Sequence, residues 1–257
     1  MKIKAAILIL MVFIISPSSH AGWVFTEDSE SANQTTYVQD NKLKLFNPDQ
    51  VVIFNVAQNQ VCFANPKQKT FWKGTPAELA AQGNGIVSNM EKMMDDQLSG
   101  LPVEARKAIA DTIKEQVAGT TANTHSNAEV RDSGQTENIA GYKARKYEIR
   151  INGRLAEHHW ISNDIQMGKD FDVRKFGEML KSFTSGFGMA GERAALASPQ
   201  VVALLEKGWP LRIIDYQGGG DYLVSDVVRV EKKSLPASTF DIPKEYRKVS
   251  VMEFFAQ

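Results

Sequence analysis

Cysteine is nearly absent from the chain, which has Cys62 alone among 257 residues. A single cysteine cannot close an internal disulfide, so the fold has to be stabilised by burial of apolar side chains. Cys62 lies between Val61 and Phe63, and free cysteines with apolar neighbours are commonly buried. We therefore interpret Cys62 as a small hydrophobic residue of the core.

Histidine is also scarce, and only His125, His158 and His159 follow the first twenty residues. Adjacent residues of a strand point to opposite faces, so His158 and His159 cannot both bind one metal ion from their predicted strand. Gly218-Gly219-Gly220 precedes a predicted strand, whereas a phosphate-binding loop needs a helix after it. No G-x-S-x-G elbow of a serine hydrolase occurs. The sequence thus predicts no metal site, no cofactor and no catalysis.

A long apolar run occurs only at the N terminus. A short positively charged start precedes the apolar residues 5–15, and Ser19 and Ala21 fit the small-residue rule for signal peptide cleavage. The apolar run is too short for a membrane-spanning helix, which needs about 20 residues. We therefore predict that residues 1–21 are a cleaved signal peptide, that the mature chain begins at Gly22 and that no transmembrane segment follows.

The sequence has no excess of charge of either sign, with 30 basic and 30 acidic residues. Cleavage removes Lys2 and Lys4, so the mature chain has a small negative net charge. That balance gives no reason to expect nucleic acid or a strongly anionic membrane as partner. Cys62 lies too far from the cleavage site to carry a lipid anchor. The sequence therefore predicts a soluble periplasmic protein.

The first part of the mature chain, residues 23–73, has the pattern of short strands. Turn residues such as Asn47-Pro48-Asp49 separate the apolar or alternating runs. Connections this short join neighbouring antiparallel strands, which predicts a meander. The runs are Thr35–Gln39, Lys42–Phe46, Gln50–Val56, Gln60–Ala64 and Thr70–Lys73.

A helical insert is predicted next, over about residues 75–119. Thr75 is placed as the N-cap, Pro76 as the first helical residue and Glu78 as its capping-box partner. Apolar residues then recur at helical spacing, among them Met90, Met93 and Met94. The insert therefore interrupts the run of strands with amphipathic helices.

Strands and helices alternate again after residue 127. Asn152-Gly153 is a strong hairpin signal between two of the predicted strands, and Ser198-Pro199 starts a short helix that ends near Lys207. A helical stripe before it contains Phe176, Met179, Leu180, Phe183 and Phe187. The predicted strands are Ala128–Val130, Lys143–Ile151, Leu155–Ser162, Leu211–Tyr216 and Tyr222–Glu231, with Val249–Phe254 as a last edge strand. This order predicts a single α+β domain over residues 22–257, with helices packed on one face of an interrupted antiparallel sheet.

The methionine- and phenylalanine-rich stripes admit two interpretations. They can form a filled core between helices and sheet, as amphipathic helices normally do. Alternatively, they can line a hydrophobic cavity, because methionine tolerates several packings. The residues at the stripe centres are the candidates for such a lining, namely Met94, Phe176, Met179, Leu180 and Phe183. A cavity predicts a carrier of a lipid or acylated ligand, and a filled core predicts a structural or interaction protein of the envelope with a protein partner.

Several segments resemble the exported domain-of-unknown-function 4412 family. They are Lys42–Leu45, Val51–Phe54, Val61–Phe63, Asn65–Lys67, Lys69–Trp72, Ile139–Tyr147 and Glu157–Ser162. The ending Leu235–Tyr246 is similar to the family's close, and Phe240-Asp241-Ile242-Pro243 within it looks like an edge segment terminated by proline. The resemblance implies no catalytic residues. It does imply a relation to LolA-like periplasmic carriers, hence an unclosed, curved antiparallel β-barrel with helices on its concave face and an apolar cavity for lipid chains.

Overall fold

Twelve strands form one sheet in the computed structural model, which describes residues 21–29, 33–82, 127–168, 170–186, 192–217 and 220–256. The strands are β1 (Gly22–Asp28), β2 (Gln34–Gln39), β3 (Lys42–Phe46), β4 (Val51–Asn55), β5 (Gln60–Asn65), β6 (Thr70–Gly74), β7 (Ala128–Ile139), β8 (Tyr142–Ile151), β9 (Arg154–Ser162), β10 (Trp209–Asp215), β11 (Tyr222–Lys233) and β12 (Arg247–Lys248).

The order across the sheet is β12-β6-β5-β4-β3-β2-β1-β11-β10-β9-β8-β7. Two meanders, β1 to β6 and β7 to β11, are joined side by side through antiparallel pairing of β1 with β11. Every pairing is antiparallel except the parallel contact of β12 with β6. The terminal strands β12 and β7 are not neighbours, so the sheet is unclosed, and the predicted α+β class with an interrupted antiparallel sheet is confirmed.

Two-residue turns connect the hairpins where the sequence has residues that accept positive φ. Asn152 and Gly153 have φ values of 52° and 80° between β8 and β9. Ala140 and Gly141, between β7 and β8, also have positive φ values, of 51° and 85°. Turns of this hand match the right-handed twist of the strands they connect. The hairpin predicted at Asn152-Gly153 is therefore confirmed.

The helices follow β6 and β9 and end the chain. Residues 76–82 are helical, and the predicted capping box is confirmed: the Glu78 amide donates to Thr75 Oγ1 at 3.1 Å, and the Thr75 amide to Glu78 Oε2 at 2.7 Å. The rest of the helical insert, with Met94, lies outside the described residues. The further helices are α1 (Val173–Gly186), α2 (Glu192–Ala195), α3 (Pro199–Lys207) and α4 (Val251–Phe255), with a 3-10 turn at Ala237–Phe240.

One face of β1 to β6 forms the main apolar core and is called the core face here. Cross-strand partners share a face of the sheet, and the register brings Val38, Leu43, Phe54 and Val61 together in successive strands. Phe25 of β1 belongs to the same cluster. Helix α1 packs on this cluster through Phe176 and Met179, and α4 through Val251 and Phe254. A second cluster joins Val201 and Leu204 of α3 to Tyr147, Ile149 and Ile151 of β8.

The opposite face of β1 to β6 is crossed by residues 235–246, which we call the strap. Its start is fixed where the Leu235 amide donates to Gln39 Oε1 at 2.9 Å and Gln39 Nε2 donates to the Leu235 carbonyl at 3.2 Å. Phe240 packs near Val24, and Ile242 packs near Cys62. The strap then leads into β12 at the sheet edge, and α4 follows on the core face.

Two predictions for the C-terminal segment are wrong. Val249–Phe254 is not an edge strand, because most of it forms α4, whose N-cap Ser250 accepts the Glu253 amide at 3.1 Å. The buried residues Val251 and Phe254 are three apart, which is helical spacing. The segment around Phe240 is not an edge strand either, since it forms the 3-10 turn of the strap. Arg247–Lys248 is the edge strand that the structure has here.

Candidate functional site

Strand β1 directs an acidic side chain into the interior. Its alternate residues Trp23, Phe25 and Glu27 share one face, and all three are buried. Glu27 follows two aromatic core residues on that face and is itself only 7% exposed, although its side chain is acidic. A buried carboxylate is costly unless it is hydrogen-bonded or paired with a cation. The surroundings of Glu27 therefore decide what this position can do.

Two bulges in β11 shape the wall opposite Glu27. The register of β1 with β11 skips Val228, and the register of β10 with β11 skips Val224. Bulges bend a strand and re-aim its side chains, and they are common next to functional sites. Ser225 lies between these bulges, and its hydroxyl donates to Glu27 Oε2 at 2.8 Å. The bulged strand thus supplies a neutral hydrogen-bond donor to the carboxylate.

The second donor to this carboxylate comes from β2. Gln34 Nε2 donates to Glu27 Oε2 at 3.4 Å, so both hydrogen bonds end on the same oxygen. No cation of the described residues forms an ion pair with Glu27. Burial raises the pKa of Glu27 above its usual range, and the hydrogen bonds from its neighbours oppose that shift. A desolvated acid without a cation is the chief electrostatic feature of the site.

Thr36 lies beside this carboxyl group and is 1% exposed. Its hydroxyl makes no hydrogen bond of ordinary geometry within the described part of the chain, yet it is close enough to Glu27 to lower the pKa of that carboxyl group. Buried polar groups are nearly always well paired in native proteins. Thr36 is thus a poorly aligned neutral group beside a carboxylate that has no cation.

These groups border a cleft of about 370 Å³, which we call the Trp209 cleft. One face of the Trp209 ring stacks on Phe25, with ring centroids 4.8 Å apart and planes 13° apart. Apolar side chains of β3 and β10 complete a lining that surrounds the polar cluster. The lining residues are Glu27, Ser29, Gln34, Thr36, Leu45, Asn47, Trp209, Pro210, Ile213, Val224 and Ser225. Such a cleft can hold an apolar chain and fix a polar head group.

The residues predicted to line a ligand cavity are placed elsewhere. Phe176 and Met179 are buried in the main core, and Leu180 is half-buried against it. None of the three borders the Trp209 cleft. Phe183 falls within α1, but its side chain lies outside the described part of the structure, as does Met94. A role of these five residues in ligand binding stays a prediction.

The two neighbouring histidines are each held by a separate partner. His158 Nδ1 lies 2.9 Å from the Tyr216 hydroxyl, and burial lowers the pKa of His158. His159 Nε2 lies 2.6 Å from Glu157 Oε2 in a buried pair. Within the described residues, no three histidine, cysteine or acidic side chains are grouped as metal ligands would be. The described histidines thus have partners within the fold.

A larger cavity of about 500 Å³ lies between the strap and β3 to β6. Exposed polar residues such as Asp40, Gln58 and Lys73 line much of it, together with Phe240 and Cys62. Burial raises the pKa of the Cys62 thiol to about 12. Cys62 is thus a buried, protonated thiol, in agreement with its interpretation as a small hydrophobic residue.

Native Cys62 is expected to resist alkylation by iodoacetamide at mildly alkaline pH. The thiolate is the reactive species, so we expect labelling to be roughly a hundredfold slower than for an exposed thiol. Mass spectrometry after timed labelling measures this rate, and unfolding in urea should restore it. The control is Ser238→Cys, which puts an exposed thiol on the strap. Equal labelling rates for the two thiols in the native protein would contradict the prediction.

Sequence reasoning missed the Trp209 cleft, although one local signal was present. Trp23, Phe25 and Glu27 alternate, and an acid in the third position of an otherwise apolar face is unusual for a buried strand. The other groups are far away in the chain: Ser225 is 198 residues from Glu27. Only the pairing of β1 with β11 brings them together.

One family model and two solved structures are similar to this chain. The family model described as "Domain of unknown function (DUF4412)" matches residues 56–246. No curated protein matches the chain. Among solved structures, two of PNGF-II are similar, in space groups C2 and P21, with 12% identity and TM-scores of 0.40 and 0.37. Each alignment covers 91% of this chain but 32% of PNGF-II, so the chain spans about one third of that protein.

Proposed function

This chain belongs to the family described as domain of unknown function DUF4412, and from that premise we propose that it is an exported, non-catalytic carrier of a hydrophobic ligand. The ligand is a lipid or an acylated molecule, and its chain lies in the Trp209 cleft. The protein works in the periplasm after removal of residues 1–21. In this proposal the unclosed sheet is related to the LolA-like carriers.

The observation that carries the proposal is the composition of the Trp209 cleft. Ligand sites are typically concave, largely apolar and supplied with a few convergent polar groups, within about 300–1,000 Å³. The cleft has about 370 Å³ and combines Leu45, Trp209 and Ile213 with the polar cluster at Glu27. Its size suits one short apolar chain rather than a whole diacyl lipid.

Within the described residues, no helix has the length and apolar content to cross a bilayer.

Binding of octanol tests this proposal, because octanol has an apolar chain and a neutral head. We expect calorimetry to show saturable binding to the wild type. Ile213→Trp fills the cleft from β10 and should weaken binding at least about tenfold, equivalent to about 1.4 kcal/mol. Val228→Trp is the matched control, because Val228 is 50% exposed at a bulge and does not border the cleft.

Circular dichroism establishes that both tryptophan variants are folded. Native mass spectrometry of the protein purified from its own periplasm is an independent test. We expect it to detect a co-purified apolar ligand. Absence of octanol binding by the wild type, or equal binding by Ile213→Trp, would overturn the proposal.

The alternative is an envelope interaction protein, and one surface feature favours it. Tyr222, Val224 and Val228 of β11 are 42%, 40% and 50% exposed, which is unusual for large apolar residues on a single strand. A protein partner could cover them. In that case Val228→Asp would abolish complex formation with the partner and leave octanol binding unchanged, whereas Ile213→Trp would leave the complex intact.

A further inference from the structure

We infer that the Trp209 cleft selects ligands whose head group is a cationic amine, which the Glu27 carboxylate receives. The inference rests on the proposed function, since it names the chemical class of the ligand head group. It follows from the placement of one buried carboxylate without a cation, one poorly aligned hydroxyl and one aromatic ring around a single cleft.

Neutral groups hold the Glu27 carboxylate in place. Ser225 and Gln34 both donate to Oε2, which fixes the orientation of the carboxylate. The Thr36 hydroxyl is the third neutral neighbour. A primary ammonium group has three donors and no acceptor. It can therefore donate to the carboxylate and also to the Thr36 hydroxyl oxygen, which has no well-aligned partner of its own.

The charge of Glu27 lacks a counter-charge within the described residues. A buried carboxylate is stabilised most by an opposite charge, and among the described residues no cation pairs with Glu27. A neutral head group would leave the carboxylate uncompensated, and an anionic one would add repulsion. Burial raises the pKa of Glu27, so the acid gains more from a cation than an exposed acid would. Charge complementarity thus favours an amine over an alcohol or a carboxylate.

Trp209 adds an aromatic ring to the same cleft. Ammonium groups are attracted to the face of an aromatic ring, most strongly to that of tryptophan. Trp209 stacks on Phe25, which fixes the plane of its ring, and it borders the same cleft as Glu27. A carboxylate beside a fixed indole ring is suited to an ammonium group that continues into an apolar chain.

Three probes with the same chain and different heads test the inference: octylamine, octanol and octanoate at neutral pH. Calorimetry with the wild type should give the order octylamine, octanol, octanoate, with octylamine at least about tenfold tighter than octanol. Glu27→Gln keeps the shape and removes the charge, so the preference for octylamine over octanol should be lost. Asp28→Asn is the matched control, because it removes the same charge at an exposed position of the same strand.

The outcomes separate the two proposals. If octanol binds in the cleft but octylamine is no tighter, or if Glu27→Gln and Asp28→Asn weaken octylamine equally, the amine inference is overturned and the carrier proposal stands. If no probe binds, the carrier proposal fails as well. The ranking of the three probes with the wild type decides the matter even when Glu27→Gln does not fold. A lysophosphatidylethanolamine probe distinguishes the source: Glu27-dependent binding identifies a lipid head group, and Glu27-dependent binding of octylamine alone identifies a free alkylamine.

Discussion

Gly208→Ala is expected to destabilise the protein by about 3 kcal/mol, at the upper end of the usual range for overpacking. Gly208 joins the end of α3 to the start of β10, and Trp209 is paired with Ser162 of β9. A Cβ atom at residue 208 would lie 1.9 Å from the Ser162 carbonyl oxygen and 2.6 Å from its carbonyl carbon. Because these are backbone atoms, no side-chain rotation relieves the clash, and β10 has to move away from β9.

Thermal unfolding followed by circular dichroism measures the effect of Gly208→Ala. For a chain of this size about 3 kcal/mol corresponds to a fall in Tm of roughly 6–12 °C. The control is Gly168→Ala, since a Cβ there meets nothing within 4 Å. That variant should melt near the wild type. If the two variants had the same Tm, the close approach at Gly208 would not be present in solution.

The same substitution links stability to the cleft. Trp209 follows Gly208 directly, and its amide donates to the Ile165 carbonyl at 3.1 Å. A shift of the start of β10 displaces the Trp209 ring from its stack on Phe25. Octanol binding by Gly208→Ala is therefore expected to weaken even at temperatures where the variant is folded.

The meander and several element ends could be predicted because their signals are local. Turn residues such as Asn152-Gly153 fix the hairpin through their own φ preference, and Thr75 and Glu78 cap a helix within four residues. The start of the helix at Pro199 is also predicted locally, from proline at the first helical position, although the Ser198 side chain makes no capping hydrogen bond. These features do not depend on distant parts of the chain.

Strand β7 was predicted only in part and helix α4 was predicted as a strand, because the environment of each decides its structure. Strand β7 extends over twelve residues, but its second half is polar and exposed, so only Ala128–Val130 showed a strand pattern. It forms the edge of the sheet, where polar residues are tolerated and a bulge near Gly134 disrupts pairing. The final segment has apolar residues that suit either a strand or a helix, and the cap at Ser250 selects the helix.

The Trp209 cleft could not be predicted because it depends on non-local pairing. Glu27 lies near the start of the chain, and Ser225 and Trp209 lie near its end. Each meander can be predicted from its own stretch of sequence, but nothing in either stretch specifies that β1 pairs with β11. Alternation along β1 puts Glu27 on the same face as Phe25, and the sheet order supplies its partners.

Phe176→Ala is expected to lower the free energy of unfolding by about 3–5 kcal/mol, the usual loss for a buried phenylalanine. Phe176 is buried on α1, where its ring meets Phe54 of β4 edge to face at 5.3 Å and Phe171 at 5.1 Å. The substitution leaves a cavity between helix and sheet that rigid neighbours cannot fill. Urea unfolding measures the loss, and Phe46→Ala is the control, since Phe46 is 39% exposed at the end of β3.

The result also separates the two interpretations of the α1 stripe. If Phe176 belongs to the packed core, octanol stabilises Phe176→Ala and the wild type by the same increment, because the ligand lies in the Trp209 cleft. If Phe176 lines the ligand site, the free energy of unfolding of Phe176→Ala is close to that of the wild type. Octanol then no longer stabilises the variant. The second result would move the ligand from the Trp209 cleft to the stripe that contains Met179 and Leu180. The first would leave those side chains as the apolar support that holds α1 on β4.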